Sequence, residues 1–565
     1  MADERGGARD YPAWKPKPAS WTKLFSTFLV ALDPFKLLVA AAGILATALG
    51  WWLLSVIFYG AWSVPKPSDY DSKKFSEATT EEQRAELKDA AYRKDMATWA
   101  MMYELAGPSD GSNADAKAAY TRWYQETHAN KARWNSDLAL GYGGKYRTMP
   151  WAEDRGPNPF LLTKSVVTGS AGERREFLGW FLGNQVPNLV EPLLKFLSPV
   201  SYLFDQRASL WVCLYLLLLI VWLLVVWGFF GGVITRMAVL QLTGKEGGGV
   251  REALAFVKDR YLAYLLSPMV PLLLIGFMVV CCILFGIIHW IPLLGDLVDG
   301  LFWFLPLLAG LVMALLLVGM VGYPLMYPTL SAEGSDTFDA MSRSYNYVYE
   351  SPWHYIWYSL VAILYGAVLT LFVITIGSAA AYLSKWGVAK WPTFGADRSP
   401  EYLFIYTPQS LGWRELMLQD SPAAIDPYGV PLNEAKAKAY MDNYAWYNHM
   451  GAGMASFWVT LVFMMVIGFG YSYFWTAATQ VYLLMRKRVD ETEYDEVYVE
   501  EDLPPQSPVT VNPSTAVPAP TPVTAAPAPA HIAAVPMPAT VIPTPAPESV
   551  KPETPEPPAS DKPVI

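Results

Sequence analysis

Residues 210–234 read LWVCLYLLLLIVWLLVVWGFFGGVI, a run of 25 positions with no Asp, Glu, Lys or Arg. A bilayer core of about 30 Å needs roughly 20 apolar residues in a helix. Lipid cannot satisfy open backbone groups, so such a run must close its own hydrogen bonds as a helix. Five further stretches read the same way, at 37–62, 261–290, 301–327, 353–383 and 454–484. The expected fold class is therefore an all-α integral membrane protein with six transmembrane helices. Tyr59, Trp62, Trp211, Trp290, Trp353, Trp386 and Trp475 stand near the ends of these stretches, as interfacial anchors do.

The flanks set an expected orientation, because Lys and Arg collect on the cytoplasmic side. Arg5, Arg9, Lys15, Lys17, Lys23 and Lys36 precede the first span, and Arg486, Lys487 and Arg488 follow the sixth. Arg236, Lys245, Arg251, Lys258 and Arg260 follow the second span, whereas 291–300 holds only Asp296 and Asp299 as charges. Both termini are expected in the cytoplasm. The first span is too long for a signal-peptide core and reads as an uncleaved anchor. The net charge of −9 owes much to the acidic run at 490–502, and the basic flanks point to lipid headgroups rather than nucleic acid. Cys213, Cys281 and Cys282 all fall in spans, so no disulfide holds the outer segments. Those segments also lack an N-x-S/T sequon, which favours a bacterial inner membrane.

The expected organisation follows. Residues 1–36 form a cytoplasmic segment in which Trp21, Leu24, Phe25, Phe28, Leu29 and Leu32 make one face of an interfacial helix. Residues 63–206 form a mostly helical outer domain. Thr79 with Glu82 reads as a capping box, a second helix should cover 115–134, and short helices at 173–182 and 189–197 should return toward the membrane. Residues 207–385 hold four spans with cytoplasmic amphipathic helices. Residues 386–453 form a second outer segment and 454–485 the last span. Residues 486–565 begin basic and acidic and then become Pro/Ala-rich, with 19 of the chain's 45 prolines in 503–565; disorder is expected there.

A parallel repeat of two hairpins is legible. Aligning Ala253 with Ala340 offsets the halves by 87 residues and places Gly232 on Gly319. Each half would run span, amphipathic helix, span.

No catalytic, cofactor or metal site is legible. His128, His289, His354, His449 and His531 lack partners at metal-ligand spacing. The Gly-rich stretch 244–249 lacks the GK[ST] ending of a phosphate loop. Gly228, Gly232, Gly468 and Gly470 read as helix-packing positions. Residues 151–160, WAEDRGPNPF, place Glu153, Asp154 and Arg155 in one turn. As chemistry this turn would hold two carboxylates; as structure it is a charged turn locking the outer domain onto the membrane rim.

That turn, with GGVITRMAVLQ at 231–241, REAL at 251–254 and EGSDTFDAMSRSY at 333–345, resembles a family of uncharacterised multi-pass membrane proteins from planctomycete-type bacteria. The resemblance spans most of 30–485 and implies class and location, with no activity to carry over. The paired hairpins also distantly resemble membrane regions attached to some bacterial glycerophosphodiester phosphodiesterases, without their catalytic domain. The expected function is non-enzymatic: an interaction or membrane-organising role in the inner membrane, with membrane-protein partners or a second copy, and a cytoplasmic partner for the Pro-rich tail. The alternative is a permease or exporter of an apolar or lipid-like substrate.

Overall fold

The computed structural model describes residues 20–70, 80–108, 113–128, 143–162, 177–245, 249–288, 290–291, 293–390, 400–419, 421–425 and 431–499. Residues Met1–Val499 form one compact unit; the second, Glu500–Ile565, holds the Pro-rich tail and lies outside the described residues. Among the described residues the secondary structure is helical, with one isolated bridge between Ile425 and Pro431.

Six helices are long and apolar enough to cross a membrane. They are α2 (Pro34–Gly60), α7 (Leu210–Thr243), α9 (Tyr261–Ile288), the α11 (Phe304–Gly319) and α12 (Tyr323–Glu333) pair joined by a 3-10 turn, α14 (Pro352–Lys390) and α17 (Trp446–Val489). The terminal end of the bundle carries the 3-10 turn Ser20–Ser26, α1 (Thr27–Ala31), α8 (Val250–Asp259) and α13 (Thr337–Glu350). The loop end carries α3 (Glu81–Ala106), α4 (Ala114–His128), α5 (Val186–Leu189), α6 (Glu191–Leu203), α15 (Trp413–Leu418) and α16 (Glu434–Asp442), and α10 (Leu294–Phe302) joins α9 to α11.

Several spans outrun the apolar windows. Helix α7 continues to Thr243 and α17 to Val489, so Arg236 and Arg486 become helix residues buried by neighbours. Trp475 is consequently a core residue, 1% exposed, rather than an interfacial anchor. Trp290 and Trp353 remain 86% and 80% exposed. Lys36 joins α2 fully buried, because its ammonium donates to Val30 O at 3.0 Å and Gln241 Oε1 at 2.7 Å.

The two hairpins repeat in their details. Helix α7 ends at Gly244 (φ 68°) and α12 at Gly334 (φ 62°), each left-handed, with N–H groups returning to Leu240 O and Leu330 O. Left-handed backbone is open to glycine without a Cβ clash. A Cβ on Gly232 would meet Tyr264 at 3.0 Å and Val257 at 3.2 Å; one on Gly322 would meet Val348 at 2.8 Å and Ser344 O at 3.1 Å. Gly232 and Gly322 each stand twelve residues before the left-handed glycine, so by that register Gly322 rather than Gly319 is the counterpart of Gly232. The loop before α8 is three residues longer than that before α13, which shifts the offset between the two helices of each half.

Two elements outside the spans differ from the sequence reading. The cap of α3 is Thr80, whose Oγ1 accepts from Gln83 N at 3.3 Å, one residue beyond the expected Thr79. The Ser20–Ala31 segment packs against α14 and α17, with Leu24, Thr27 and Ala31 fully buried, while Phe25 and Leu29 stay exposed. Its apolar stripe is split between buried and exposed positions, so it is docked on the bundle rather than presenting one free apolar face. Helix α3 packs on α4 through Met96, Trp99, Tyr103, Ala116 and Tyr120, and its other face joins the bundle core through Met101, Met102 and Leu105.

Candidate functional site

Helices α5 and α6 do not lie on the rim. Leu189 touches the position a Cβ on Gly366 would occupy, 2.8 Å away, and Asn188 O is 3.7 Å from the Cβ position of Gly470. Phe196 stacks on Tyr323 with centroids 4.8 Å apart. These partners belong to α14, α17 and α12, so the segment re-enters the bundle from the loop end. Its sequence permits this: Pro187 and Pro192 sit in first turns, where the missing N–H costs nothing. A π-helical turn, Phe181–Gln185, leads into it.

The re-entry carries Glu191 and Lys195 inward, one helical turn apart. Arg155, from the 151–160 turn, meets Glu191 with both ends of its fork, Nε to Oε2 at 3.0 Å and Nη2 to Oε1 at 3.0 Å. It also pairs with Glu153 and donates through Nη1 to Pro150 O at 2.6 Å and Ser410 Oγ at 2.9 Å. Lys195 closes the ring, 2.9 Å from Glu153 Oε1 and 2.8 Å from Glu191 Oε1. Two cations and two anions thus cancel in a site where Arg155 is only 5% exposed. Asp154 takes no part in the ring; it accepts from Gly156 N at 2.9 Å at the exposed side of the turn.

The depth of this quartet follows from its neighbours. Tyr471 donates its hydroxyl to Glu191 Oε1 at 2.9 Å and stacks on Trp227, which stands at the midpoint of α7. Lys195 Nζ is 6.0 Å from the ring of Trp51, nine residues in from the end of α2, about 14 Å at the helical rise. Below the quartet, Trp227, Tyr471, Trp475, Tyr327 and Tyr323 fill the centre of the bundle with stacked and edge-on rings.

Electrostatics favour the charged forms of Glu191, Lys195 and Arg155. Burial alone would raise the Glu191 carboxyl, but Arg155 and Lys195 outweigh it and hold it well below the ordinary carboxylate range. Burial would lower Lys195 and Arg155; Glu153 and Glu191 reverse the sign for both and raise them. Removing ions from water costs several kcal/mol each, so such a cluster specifies geometry more than it adds net stability.

A second joint sits beside it. Asn158 Nδ2 donates to Leu411 O at 3.0 Å and Ser378 Oγ at 3.2 Å, tying the turn to both α14 and the 400–419 segment. Gln409 N and Ser410 N both donate to Trp151 O, at 2.8 and 3.0 Å. The segments 63–206 and 386–453, expected to pack together, do so here.

Of the four glycines, Gly232 and Gly468 stand at close approaches, while Gly228 and Gly470 have room for a Cβ at ordinary contact distance. A Cβ on Gly228 would meet the Leu265 backbone at 3.5 Å, and one on Gly468 would lie 2.9 Å from Leu37 O. Gly232 faces Tyr264 and Gly470 faces Asn188, as above. The charged turn supplies two of the four ions; Glu191, Lys195 and the hydroxyl of Tyr471 are not legible as its partners from the turn alone. Their signal is the pair of charges four apart in the otherwise apolar EPLLKFL, 191–197. His354 lies against Tyr358, and His449 Nδ1 shares a 2.8 Å hydrogen bond with Tyr406; His289 and His531 fall outside the described residues. Among the described residues no group of His, Cys, Asp and Glu is placed to hold a metal. No known protein family, curated protein or solved structure matches the chain.

Proposed function

We propose that this chain is a non-enzymatic organising protein of a bacterial inner membrane, with both termini in the cytoplasm, that holds partners against the bilayer. The joint at Arg155 carries the reading. One guanidinium ties the 151–160 turn, α6 and Ser410 of the second outer segment, and Tyr471 ties α6 to the last span. The loop end is thereby mounted rigidly on the helices, as a presenting surface requires. A carrier that moves α6 against the last span would have to break the Tyr471–Glu191 bond in each cycle.

The α9–α11 hairpin supports the same reading. Only 6% and 11% of the apolar windows of its two spans are buried, against 33–50% for the other four. It offers lipid, a membrane-protein partner or a second copy a long apolar face. Photo-crosslinkers placed at Leu284 and Leu308, both exposed on that hairpin, test the proposal in native membranes. Discrete protein adducts are expected. Adducts to lipid alone at both positions would defeat it.

The second reading is a permease or exporter of an apolar or lipid-like substrate. The charged quartet at the depth of Trp227 favours it, because ions inside a bundle often mark a pathway. Lipid scrambling by reconstituted protein, abolished by Arg155→Met in a variant that still folds, would establish that reading over the first.

A further inference from the structure

The α9–α11 hairpin leaves the bundle at Pro271. Helix α9 is buried at Tyr264, Ser267, Pro268 and Pro271 and nowhere beyond, and α11 has no buried residue before Gly319. The two helices meet one another, with the rings of Phe285 and Trp303 6.4 Å apart.

The internal repeat shows what covers such a face in the other half. Val257 of α8 lies 3.2 Å from the Cβ position of Gly232, and Val348 of α13 lies 2.8 Å from that of Gly322. Placing Val257 on Val348 carries the start of α9 onto the start of α14. It also carries Tyr264 onto Tyr355, Ser267 onto Tyr358 and Pro271 onto Ala362, and all six are buried. In α14 the buried stripe continues through Ala367, Thr370, Ile374 and Ser378, none more than 4% exposed. Other parts of the chain cover it. Tyr473 of α17 donates to Ala362 O at 2.9 Å and lies with Leu189 against Gly366, and Asn158 reaches Ser378. In α9 the same positions are Gly276, Val279, Ile283 and Ile287. A Cβ on Gly276 would meet nothing within 4 Å, and the other three are 40%, 59% and 56% exposed.

This stripe holds no charge and no hydrogen-bonding side chain, so its occupant is apolar. In α14 that occupant is largely a span. Both end spans are already engaged, α2 against α7 at Gly43 and Gly50 and α17 against α14, so no described span remains for α9. A second copy leaves the same stripe bare. Two copies share one orientation in the bilayer, and a twofold axis along the membrane normal closes both stripes at once. Helices in lipid associate through close approach at small residues, and Gly276 supplies one on the stripe. The surface is large enough. Helix α9 exposes eight large apolar side chains beyond Pro271, and α11 exposes nine. Burying one removes on the order of 100 Å², so about half of them reach the roughly 800 Å² per partner of a specific interface.

We propose that Gly276, Val279, Ile283 and Ile287 are the contact face of a homodimer, in which α9 packs on the α9 of a second copy. The proposal names the partner of the hairpin in the organising reading and rests on that reading.

Disulfide cross-linking of the full chain in native membranes tests this, with two tagged forms coexpressed and Cys213, Cys281 and Cys282 changed to Ala. A residue near a twofold axis meets its own counterpart. With copper phenanthroline as oxidant, Ile283→Cys should link the two tags at least tenfold more than Phe277→Cys, which is 59% exposed on the adjoining face. Equal yields at the two positions would mark random collision and overturn the proposal. An adduct of Ile283→Cys with a different protein would overturn the second copy and leave the organising reading standing, whereas lipid-only photo-adducts at Leu284 and Leu308 defeat both. Gly276→Phe fills space that is open in one copy and closed in two. It should leave the melting temperature in detergent unchanged and lower the Ile283→Cys yield at least tenfold; an undiminished yield would overturn this face as the interface. Should Gly276→Phe not fold, Val279→Cys compared with Leu274→Cys gives the same decision by position alone.

Discussion

Tyr471 donates its hydroxyl to Glu191 at 2.9 Å, joining the last span to a helix that does not cross the membrane. The bond places a carboxylate beside the midpoint of α7 without any span carrying it. The reading that the spans contain no acid in their interiors holds for the windows, yet the bundle centre is charged. Proton relays and ion paths are usually sought on spans; here the ionisable groups arrive from the side.

Breaking the quartet one-sidedly should be costly. Arg155→Met leaves Glu153 and Glu191 sharing one cation in a buried site, and should destabilise by about 3–5 kcal/mol. Denaturant titration of purified protein in detergent measures this. A loss within about 1 kcal/mol, the range of an exposed pair, would show that the quartet is solvated.

The sign of the pH dependence follows from Glu191. Its folded value lies below its unfolded one, so its contribution is present above the ordinary carboxylate range and is lost as pH falls through the folded value. Melting temperature should stay level from neutral pH to about 5 and then fall. Lys195 acts oppositely: its raised value gives a contribution present below the ordinary lysine range and lost in strong alkali. In Glu191→Gln the acid-side fall should become shallower.

Two glycines separate packing from propensity. Gly468→Val pushes a Cβ toward Leu37 O, 2.9 Å away, and should cost about 1–3 kcal/mol through overpacking. Gly276→Ala meets nothing within 4 Å and should be neutral or gain up to about 1 kcal/mol from helix propensity. Equal effects at the two sites would remove the distinction.

Topology can be read by thiol labelling at exposed positions. Gln125→Cys on α4 and Ala439→Cys on α16 should react from outside intact cells with an opened outer membrane, and Ser26→Cys should not. Ser410 is unsuitable as a reporter, because it is 2% exposed and bonded to Arg155. Reaction at Ser26→Cys would invert the assignment of the terminal end.

The spans were legible because twenty or more apolar residues in succession have few other uses. Their ends were not. Arg236 extends α7 only because Ser331, Tyr498 and Phe256 come from distant parts of the chain to receive it. The charged turn stood out locally through Glu153 and Arg155, but its burial depends on Glu191, thirty-six residues on, and on Ser410. Hydrophobic periodicity reports which face of a helix is apolar, not whether protein or lipid covers it; Leu24 and Leu29 belong to one stripe and differ completely in exposure. The fold of residues 490–499 was illegible for a related reason. An acidic run reads as solvated tail until its carbonyl oxygens are counted as ligands for arginine.

The re-entrant helix also imposes an order on biogenesis. Glu191 is made long before Tyr471, its partner on the final span. Until α17 has been synthesised and inserted, α6 lacks one wall of its slot, and its two charges have reason to wait in water at the surface. Maturation then ends with a step that adds no new span: a segment made earlier settles between helices that arrived after it. A ribosome halted before residue 446 would leave a protein with five spans in place and its centre unfilled.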